Sequence, residues 1–369
     1  MGVNKDNYAI RCLIPDLPTL PDLLPYLERI DQNRWYTNFG PLVLEYESRL
    51  AEISGAGGMG GQCVALASGT SALELAIAAL NLPAGARVLL PSFTFPATLL
   101  TVLRNGLQPV FVDVDAHCWT LTPAIARTAL QSRRYDLILP VACLGLPLPE
   151  AAWDVFTQET GIPVLMDAAA ALGCQRIGKT THAAFSLHAT KPLGVGEGGV
   201  FATSDPDLAE RVRRLSNFGF SQGAVVYPAA TNAKLSEYAA AVGLAQLARR
   251  PALLARRRSI WAMYRAALQD LPGVSLQPFA DATPPAVLSA CLTVAAEQAA
   301  WALGQAGIET RRWYAPPLHR HPAFTGIEWA KSANEGGLSV TEHLYRYSLG
   351  LPFHAFLSHE DIHSITDKL

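Results

Sequence analysis

Charged side chains are scarce in this sequence. Of its 369 residues only 16% are Asp, Glu, Lys or Arg, 50% are hydrophobic, and the net charge is −2. This balance excludes an intrinsically disordered chain, which combines low hydrophobicity with high net charge. It also provides no basic field to attract a nucleic acid or an anionic membrane, so we expect neither as a partner.

Cysteine pairs, long apolar runs and targeting signals are also missing. Six cysteines are scattered along the chain without a CxxC pair, which predicts no disulfide framework and no zinc site, and suits a reducing cytoplasm. The apolar run LILPVACLGLPLP is broken by proline and too short to span a bilayer. The N-terminus, MGVNKDNYAIRCLIPDL, lacks the apolar core of a signal peptide. We therefore expect a large cytoplasmic globular protein that binds no metal.

Short apolar runs alternate with segments of helical spacing between positions 62 and 201. CVALA, ARVLL and QPVFVDV are typical of buried strands, whereas TSALELAIAAL and PATLLTVLRNG are typical of helices. Together they predict an α/β fold with a mainly parallel sheet sandwiched by helices. AAFSL and GGVFATS stand too close together for a crossover helix, so one of these strands is expected to run antiparallel.

The pattern changes after the predicted sheet. Residues 235–268 are almost continuously helical, with a break expected near Pro251, and residues 273–369 mix strands with helices. We predict two domains: residues 1–250 form an N-terminal segment and a large domain, and residues 251–369 form a smaller C-terminal α+β domain.

One of only six lysines stands in an unusual place. In SLHATKPLGVGEGG, Lys191 follows a buried-looking strand and precedes a glycine-rich run. A lysine at a strand end can be desolvated, which favours the neutral amine and makes it a nucleophile toward carbonyl groups. The alternative is an ordinary loop lysine with a solvated amine.

Two further features suggest what Lys191 reacts with. Asp167 ends the apolar run IPVLMDA, where a carboxylate needs a partner, and a protonated pyridine nitrogen is such a partner. In ASGTSALELAIAAL, Thr70 and Ser71 open a helix, where N–H groups and hydroxyls bind anions. All three are also common helix-capping residues, which is the simpler alternative. Ligands of open α/β sheets bind at such strand ends.

Two literal motif matches fail in their context. GVGEGG fits a dinucleotide-binding pattern but precedes a strand rather than a helix. GFSQG fits a hydrolase nucleophile elbow around Ser221 but follows a helix and opens none. His188 is a possible second base, although a structural histidine is the simpler interpretation.

The sequence resembles the DegT/DnrJ/EryC1/StrS sugar aminotransferases, a family of fold-type-I enzymes that depend on pyridoxal phosphate. The resemblance runs from RWYTNFGPLVLEYESRLAE to the C-terminus through ASGTSALELAIAAL, DAAAALG, FSLHATKPLGVGEGG, TNAKLSEYAAAVGLAQL and GIETRRWYAPPLHRHPAF, in family order. It implies a large cofactor-binding domain, a smaller C-terminal domain, and amino transfer to a sugar.

The resemblance also implies roles for individual residues. Lys191 would hold pyridoxal 5'-phosphate as a Schiff base and Asp167 would pair with its pyridine nitrogen, and these are the two expected catalytic residues. The other expected cofactor-binding residues are Thr70, Ser71 and Ser186 at the phosphate, Phe95 and Ala169 on the two ring faces, and Asn232 at the phosphate of the neighbouring subunit. Asn232 implies a homodimer with shared active sites, but its position ahead of AKLSE also suits helix capping.

The implied reaction moves an amino group, with glutamate as expected donor, onto a nucleotide-linked keto-deoxysugar. TNAKLSE resembles the form found in enzymes that aminate C4, and the alternatives are a 3-keto sugar, another keto substrate or a non-catalytic regulator that binds the cofactor. Lys191 argues against the dehydratases of the family, which have histidine there.

Ala170 stands where the family usually has Gln or His near the ring hydroxyl, and Pro192 replaces a frequent Asn. Arg311 and Arg312 suit either a diphosphate site or ion pairs.

Overall fold

The computed structural model describes residues 8–330 and 337–369. The first part of the chain contains α1 (Leu20–Asn33), α2 (Pro41–Ser54), β1 (Gln62–Leu66), α3 (Gly69–Ala79), β2 (Arg87–Pro91), α4 (Pro96–Arg104), β3 (Gln108–Val112), α5 (Pro123–Leu130) and β4 (Leu137–Ile138). These are followed by α6 (Glu150–Thr160), β5 (Val164–Asp167), β6 (Thr181–Ser186), β7 (Gly199–Thr203), α7 (Pro206–Leu215), β8 (Phe220–Ser221), β9 (Ala224–Val225) and α8 (Glu237–Leu268). The last part contains β10 (Val274–Leu276), β11 (Leu288–Leu292), α9 (Ala296–Gln305), α10 (Ser339–Tyr347), β12 (Ser348–Leu351) and α11 (His359–Thr366).

The main sheet has seven strands in the order β1-β7-β6-β5-β4-β2-β3. β7 is antiparallel to both of its neighbours, β1 and β6, and the strands from β6 to β3 are parallel. The predicted α/β class and the antiparallel strand in the AAFSL–GGVFATS pair are therefore confirmed.

Helices cover both faces of this sheet because its strands are apolar on both sides. Within β1, Cys63 and Ala65 belong to one hydrophobic cluster, while Val64 and Leu66 belong to another on the opposite face. The helices start at recognisable sequence signals: α4, α5 and α7 each have proline in the first turn. Helix α2 ends at Gly55, which is in the left-handed conformation with φ 82°.

Two predicted boundaries are wrong, and proline is involved in both. The predicted strand DLILPV is reduced to Leu137–Ile138, because Pro140 cannot donate to a strand ladder. The predicted break near Pro251 does not occur, since α8 runs through it for 32 residues. Pro251 is exposed, and arginines on both sides of it fasten the helix to the rest of the molecule: Arg249 to Asp16 and Arg257 to the carbonyl of Ala286.

The C-terminal part is built on the antiparallel sheet β10-β11-β12. Its hydrophobic cluster extends from Ile260 in α8 to Ile365 in α11. The N-terminal segment packs here: Ile10 bridges to Ile308, and the amide of Cys12 donates to the Glu309 carboxylate at 2.9 Å. The division into residues 1–250 and 251–369 stays a prediction. Among the described residues, no helix is both long and apolar enough to cross a bilayer.

Candidate active site

The candidate site lies at the C-terminal edge of the main sheet. β5 ends at Asp167, β6 ends at Ser186, and β1 leads through Ser68 into α3. These three strands point the same way, because β1 and β6 are both antiparallel to β7 and β5 is parallel to β6. Their C-terminal ends therefore meet at one edge, the usual ligand position in an open α/β sheet.

Asp167 is a buried carboxylate held in a fixed orientation. Only 4% of the residue is exposed. Its Oδ2 accepts a hydrogen bond from Thr98 Oγ1 at 2.7 Å, and its Oδ1 accepts one from the Ala169 amide at 3.2 Å. Burial raises the pKa of the Asp167 carboxyl, and these two hydrogen bonds and the charge of Lys191 act in the opposite direction.

The orientation of Asp167 is supported by a short chain of hydroxyl groups. Thr98 Oγ1 lies 2.8 Å from Thr94 Oγ1, and both threonines are buried. Since the Thr98 hydroxyl has one proton and donates it to Asp167, Thr94 must donate to Thr98. The direction of the chain is thereby fixed from Thr94 through Thr98 to the carboxylate.

Lys191 lies in a tight loop after β6. Its amide donates to the His188 carbonyl at 2.8 Å, and its carbonyl accepts from the Gly194 amide at 3.0 Å. The loop is compact enough that a Cβ on Gly194 would lie 2.5 Å from the His188 carbonyl oxygen, which is too close. Burial lowers the pKa of the Lys191 amine, and the nearby charge of Asp167 opposes this shift. The loop thus presents an amine that gives up its proton more readily than an exposed lysine does.

The other described lysine whose pKa is lowered has different partners. Burial lowers the pKa of Lys234, but its amine donates to the Asn217 and Asn232 side-chain oxygens at 2.9 and 2.7 Å. Lys5 and Lys331 lie outside the described residues. Lys191 is therefore the lysine that the described structure places beside Asp167.

The N-terminus of α3 is held against the ends of β6 and β7. Ser68 is its N-cap, and a Cβ on Gly69 would lie 2.8 Å from Ser186 Cβ. A Cβ on Gly199 would lie 2.1 Å from the Ser68 carbonyl oxygen. Glycine is required at both positions because the backbone segments approach so closely. The amides of Gly69 and Thr70 donate no hydrogen bond within the described part of the chain, so both are free to donate to an anion.

The predicted phosphate ligands differ in their exposure and in the hydrogen bonds that they already form within the chain. Thr70 is exposed and Ser186 half-buried, with Ser186 Oγ accepting from the His188 amide at 3.2 Å. Ser71 is engaged with Ser68 in a capping box: the Ser71 amide donates to Ser68 Oγ at 3.0 Å, and Ser71 Oγ accepts from the Ser68 amide at 3.0 Å. The Ser71 hydroxyl also donates to the Ser68 carbonyl at 2.8 Å. The capping alternative thus describes Ser71 in this structure.

The predicted ring contacts, Phe95 and Ala169, lie on the two segments that donate hydrogen bonds to Asp167. Phe95 is 58% exposed and immediately precedes α4, the helix that contains Thr98. Ala169 follows Asp167 by two residues and donates its amide to the carboxylate. The alternative that Asp167 caps a helix is wrong, because the residues after it form turns rather than a helix.

Asn232 lies on the surface next to the β8–β9 hairpin. It bridges to Asn217, and its Oδ1 accepts from Lys234. The alternative of helix capping is wrong, since the N-cap of α8 is Ser236, whose Oγ accepts from the Ala239 amide at 3.2 Å.

Three residues of the site were not found from the sequence: Ser68, Thr94 and Thr98. The pattern S-x-x-S at Ser68–Ser71 is a capping signal that identifies Ser68. The two threonines are four residues apart at the start of α4, but only the fold shows that they face Asp167. Arg311 and Arg312 form ion pairs with Glu309 and Glu297, as the second alternative predicted.

This arrangement fits the expected cofactor, pyridoxal phosphate. It offers a buried carboxylate for a pyridine nitrogen, an amine whose neutral form is favoured for an aldehyde, and a glycine-lined helix N-terminus for a phosphate. Among the described residues, no group of His, Cys, Asp or Glu side chains is placed to hold a metal ion.

Comparison with known proteins agrees with this cofactor assignment. The model of the DegT/DnrJ/EryC1/StrS aminotransferase family matches residues 21–369. The dTDP-3-amino-3,4,6-trideoxy-alpha-D-glucose transaminase of Streptomyces venezuelae is 35% identical over 296 residues, which are 78% of this chain and 77% of the relative. The dTDP-4-amino-4,6-dideoxy-D-glucose transaminase of Escherichia coli is 29% identical over 368 residues, which are 96% of each chain. Among solved structures, DesI, crystallised with its TDP-sugar product, aligns with a TM-score of 0.85 at 31% identity over 98% of this chain and 92% of DesI.

Proposed function

Because the chain belongs to the DegT/DnrJ/EryC1/StrS aminotransferase family, we propose that it transfers an amino group from glutamate to C4 of a nucleotide-linked 4-keto-6-deoxyhexose. As predicted, it is an aminotransferase that depends on pyridoxal 5'-phosphate. The observation that supports the proposal most is the convergence of Asp167, Lys191 and the N-terminus of α3 at one edge of the sheet.

Lys191 is proposed as the residue that holds the cofactor and moves the proton. When bound, pyridoxal phosphate supplies an aldehyde that takes up an amine and a pyridine ring that accepts electrons. Lys191 would hold the aldehyde through its neutral amine, with loss of water, and would give it up to an incoming substrate amine. The freed amine would then move a proton between the amino-bearing carbon of the substrate and the cofactor.

Asp167 is proposed to keep a proton on the pyridine nitrogen. A carboxylate in this role must stay ionised although it is buried, and the hydrogen bonds from Thr98 and Ala169 favour the ionised form. Thr98 is a positioning residue: it acts on the reaction through Asp167.

The remaining residues bind and orient. The amides of Gly69 and Thr70, with the hydroxyls of Thr70 and Ser186, are proposed to hold the phosphate at the N-terminus of α3. The Ser71 hydroxyl would join them by turning away from the Ser68 carbonyl. Phe95 and Ala169 are proposed to enclose the ring. These contacts keep the aldehyde carbon within reach of Lys191.

A homodimer with shared sites is also part of the proposal. Asn232 faces solvent in the single chain, and the adjoining β8–β9 hairpin exposes the apolar side chains of Phe218, Phe220, Val225 and Val226, between 45 and 60% exposed. Apolar side chains gathered in this way on a surface are typical of an interface. We propose that it packs on a second copy and brings Asn232 to that copy's phosphate. The six unpaired cysteines support a reducing, cytoplasmic location.

The position of amination rests on the segment TNAKLSE, which resembles that of C4 enzymes. The two relatives above are named for 3-amino and 4-amino products, so 3-keto sugars are the alternative. In either case the nucleotide supplies remote binding energy that holds the keto carbon against the cofactor.

The test is a screen of keto-sugar nucleotides with glutamate as donor, read as amino-sugar product by mass spectrometry. We expect product from nucleotide-linked 4-keto-6-deoxyhexoses and little from the corresponding free sugars. Product from 3-keto substrates alone, or equal rates with free sugars, would contradict the proposed acceptor.

A further inference from the structure

A small open cavity of about 40 Å³ lies beside the Lys191 loop, and no step described above uses it. Pro192 and Leu193 line it from that loop, and Ala170 lines it from the turn that follows Asp167. Arg250 and Arg257 of α8 complete the polar part of its wall. The cavity therefore places two guanidinium groups next to the segments that carry the proposed catalytic residues.

Both arginines are partly buried, and each uses only some of its N–H donors in hydrogen bonds to the protein. Arg250 donates to the Gly173 carbonyl at 3.1 Å. Arg257 donates through a single nitrogen, Nη2, to the carbonyls of Pro285 at 2.5 Å and Ala286 at 2.9 Å. A guanidinium has five N–H donors, so each arginine keeps donors beyond those used by these carbonyls.

Neither arginine has a partner of opposite charge. Within residues 8–330 and 337–369 no carboxylate forms an ion pair with Arg250 or Arg257, and no acidic residue of those ranges lines the cavity. Arg249, the neighbour of Arg250, does pair with Asp16 at 2.7 Å. Burial lowers the pKa of Arg257 to about 10, and the charges of Cys174 and Asp16 offset that effect only in part. Two partly buried cations without a directly bonded carboxylate lose part of their hydration, and an anionic ligand would compensate for that loss.

The cavity suits a carboxylate more than a phosphate. Arg250 and Arg257 are seven residues apart on α8, two turns, so they lie on the same face of the helix. Planar guanidinium groups bind carboxylates and phosphates alike, but a cavity of about 40 Å³ leaves room for the smaller, planar carboxylate. The rest of the lining is largely apolar, with Leu172, Leu253 and Leu254, and would contact the hydrocarbon chain where it leaves the carboxylate.

We propose that this cavity binds a carboxylate group of the amino donor and of the 2-oxo acid formed from it, with Arg250 and Arg257 as its cations. The inference rests on the proposed function, because it takes glutamate to be the donor. It assigns the donor a subsite that the nucleotide-sugar acceptor does not need.

The first test measures the two substrates separately in Arg250→Met. We expect KM for glutamate to rise roughly ten- to hundredfold, the loss of a charge-assisted hydrogen bond, while KM for the nucleotide sugar stays within about twofold. Arg250→Lys keeps the charge and should recover part of the loss. Arg258→Met is the matched control, because Arg258 is on the same helix, exposed, and bonded only to the Ala282 carbonyl.

The second test measures binding without turnover. Glutarate, a dicarboxylate without an amino group, is titrated by calorimetry into cofactor-loaded wild-type, Arg250→Met and Arg258→Met proteins. Weaker binding by Arg250→Met alone supports the subsite. Equal binding by all three overturns it, and so does a loss of cofactor affinity in Arg250→Met with unchanged glutarate binding, because the cavity would then serve the cofactor.

Failure of the proposed function gives a different result. Wild-type protein that releases no 2-oxoglutarate from glutamate contradicts the donor assignment, but glutarate binding and its dependence on Arg250 still decide the subsite. Arg257→Met is tested in the same way. Because Arg257 also fastens the segment at Pro285 and Ala286, Arg257→Lys takes its place if Arg257→Met does not fold. Unchanged glutarate affinity in Arg257→Lys as well as in Arg250→Met would overturn the inference.

Discussion

The proposed chemistry depends on the Lys191 amine, whose environment differs from that of every other described lysine. Lys191→Ala should abolish covalent attachment of pyridoxal phosphate and lower turnover by at least 10²–10⁴-fold, roughly the contribution of a positioned acid–base group. Borohydride reduction followed by peptide mapping of the wild-type protein should place the label on Lys191. Lys234→Ala is the control, because Lys234 also has a lowered pKa but faces Asn217 and Asn232. A label on any other lysine would contradict the assignment.

Asp167→Asn tests the electron-accepting part of the site at the same scale. An amide does not hold a proton on the pyridine nitrogen, so the ring accepts electrons poorly. We expect kcat to fall by orders of magnitude while the circular-dichroism spectrum and the melting temperature stay close to those of the wild type. Turnover near the wild-type rate would remove Asp167 from the mechanism.

Thr98 gives a prediction that depends on pH. The pKa of the Asp167 carboxyl is raised in the folded protein, so its contribution to stability is present below the unfolded pKa and is lost as pH rises through the folded pKa. Thr98→Val removes a donor to the carboxylate and raises that pKa further. Cofactor-free Thr98→Val should therefore lose more stability at about pH 8 than at about pH 5, by roughly 1.5–3 kcal/mol, the value of a hydrogen bond to a charged group.

Urea unfolding of the cofactor-free variants at both pH values measures this effect. The charges that act near Asp167 are the Lys191 amine and the Tyr314 hydroxyl, and both are unchanged in the variant. Thr98→Ser keeps the donor and should behave like the wild type. Equal losses for Thr98→Ser and Thr98→Val, or a loss independent of pH, would show that Thr98 only fills space.

At the scale of helices and strands, the sequence predicted elements well and contacts between them poorly. Periodicity located β1, α3, β5 and β6, and with them the positions of Asp167 and Ser186 at strand ends. Thr98 is 69 residues from Asp167 in the chain, and no local pattern links the two. The boundaries that failed, at Pro140 and Pro251, depend on how far neighbouring elements support a strand or a helix, which one segment does not reveal.

The close approach of α3 to β6 provides a test of one element contact. In Gly69→Ala the new Cβ would lie 2.8 Å from Ser186 Cβ, so the helix N-terminus must move away from the strand end. We expect affinity for pyridoxal phosphate to fall roughly tenfold, the loss of about one hydrogen bond to a charged group, and affinity for pyridoxal to change little. Gly58→Ala is the control, because nothing lies within 4 Å of its Cβ position. Equal losses for the two ligands would argue against a phosphate site here.

At the scale of the whole molecule, α8 connects the parts of the chain. Its first half packs on α1 and α2, and its second half on α11. The N-terminal segment reaches the C-terminal sheet, where the Phe353 amide donates to the Cys12 carbonyl at 3.1 Å. Such connections are non-local, so the sequence suggests two regions without showing how they are joined. The sequence is equally silent about how two copies would assemble. The proposed role of Asn232 concerns the site of a second copy, and local patterns do not reveal that contact.

The shared site can be tested by mixing inactive chains. Lys191→Ala and Asn232→Ala proteins are each assayed at a cofactor concentration that leaves Asn232→Ala largely unloaded, and are then unfolded together and refolded. In a heterodimer with shared sites, one site combines the intact Lys191 of one chain with the intact Asn232 of the other. Random pairing of a twofold dimer should therefore restore about a quarter of wild-type activity. The control is a mixture of Lys191→Ala and Asp167→Asn. These two residues belong to the site of one and the same chain, so each site of a heterodimer keeps one defect. Equal activity in the two mixtures, or a monomer that binds the cofactor normally, would place Asn232 outside the neighbouring site.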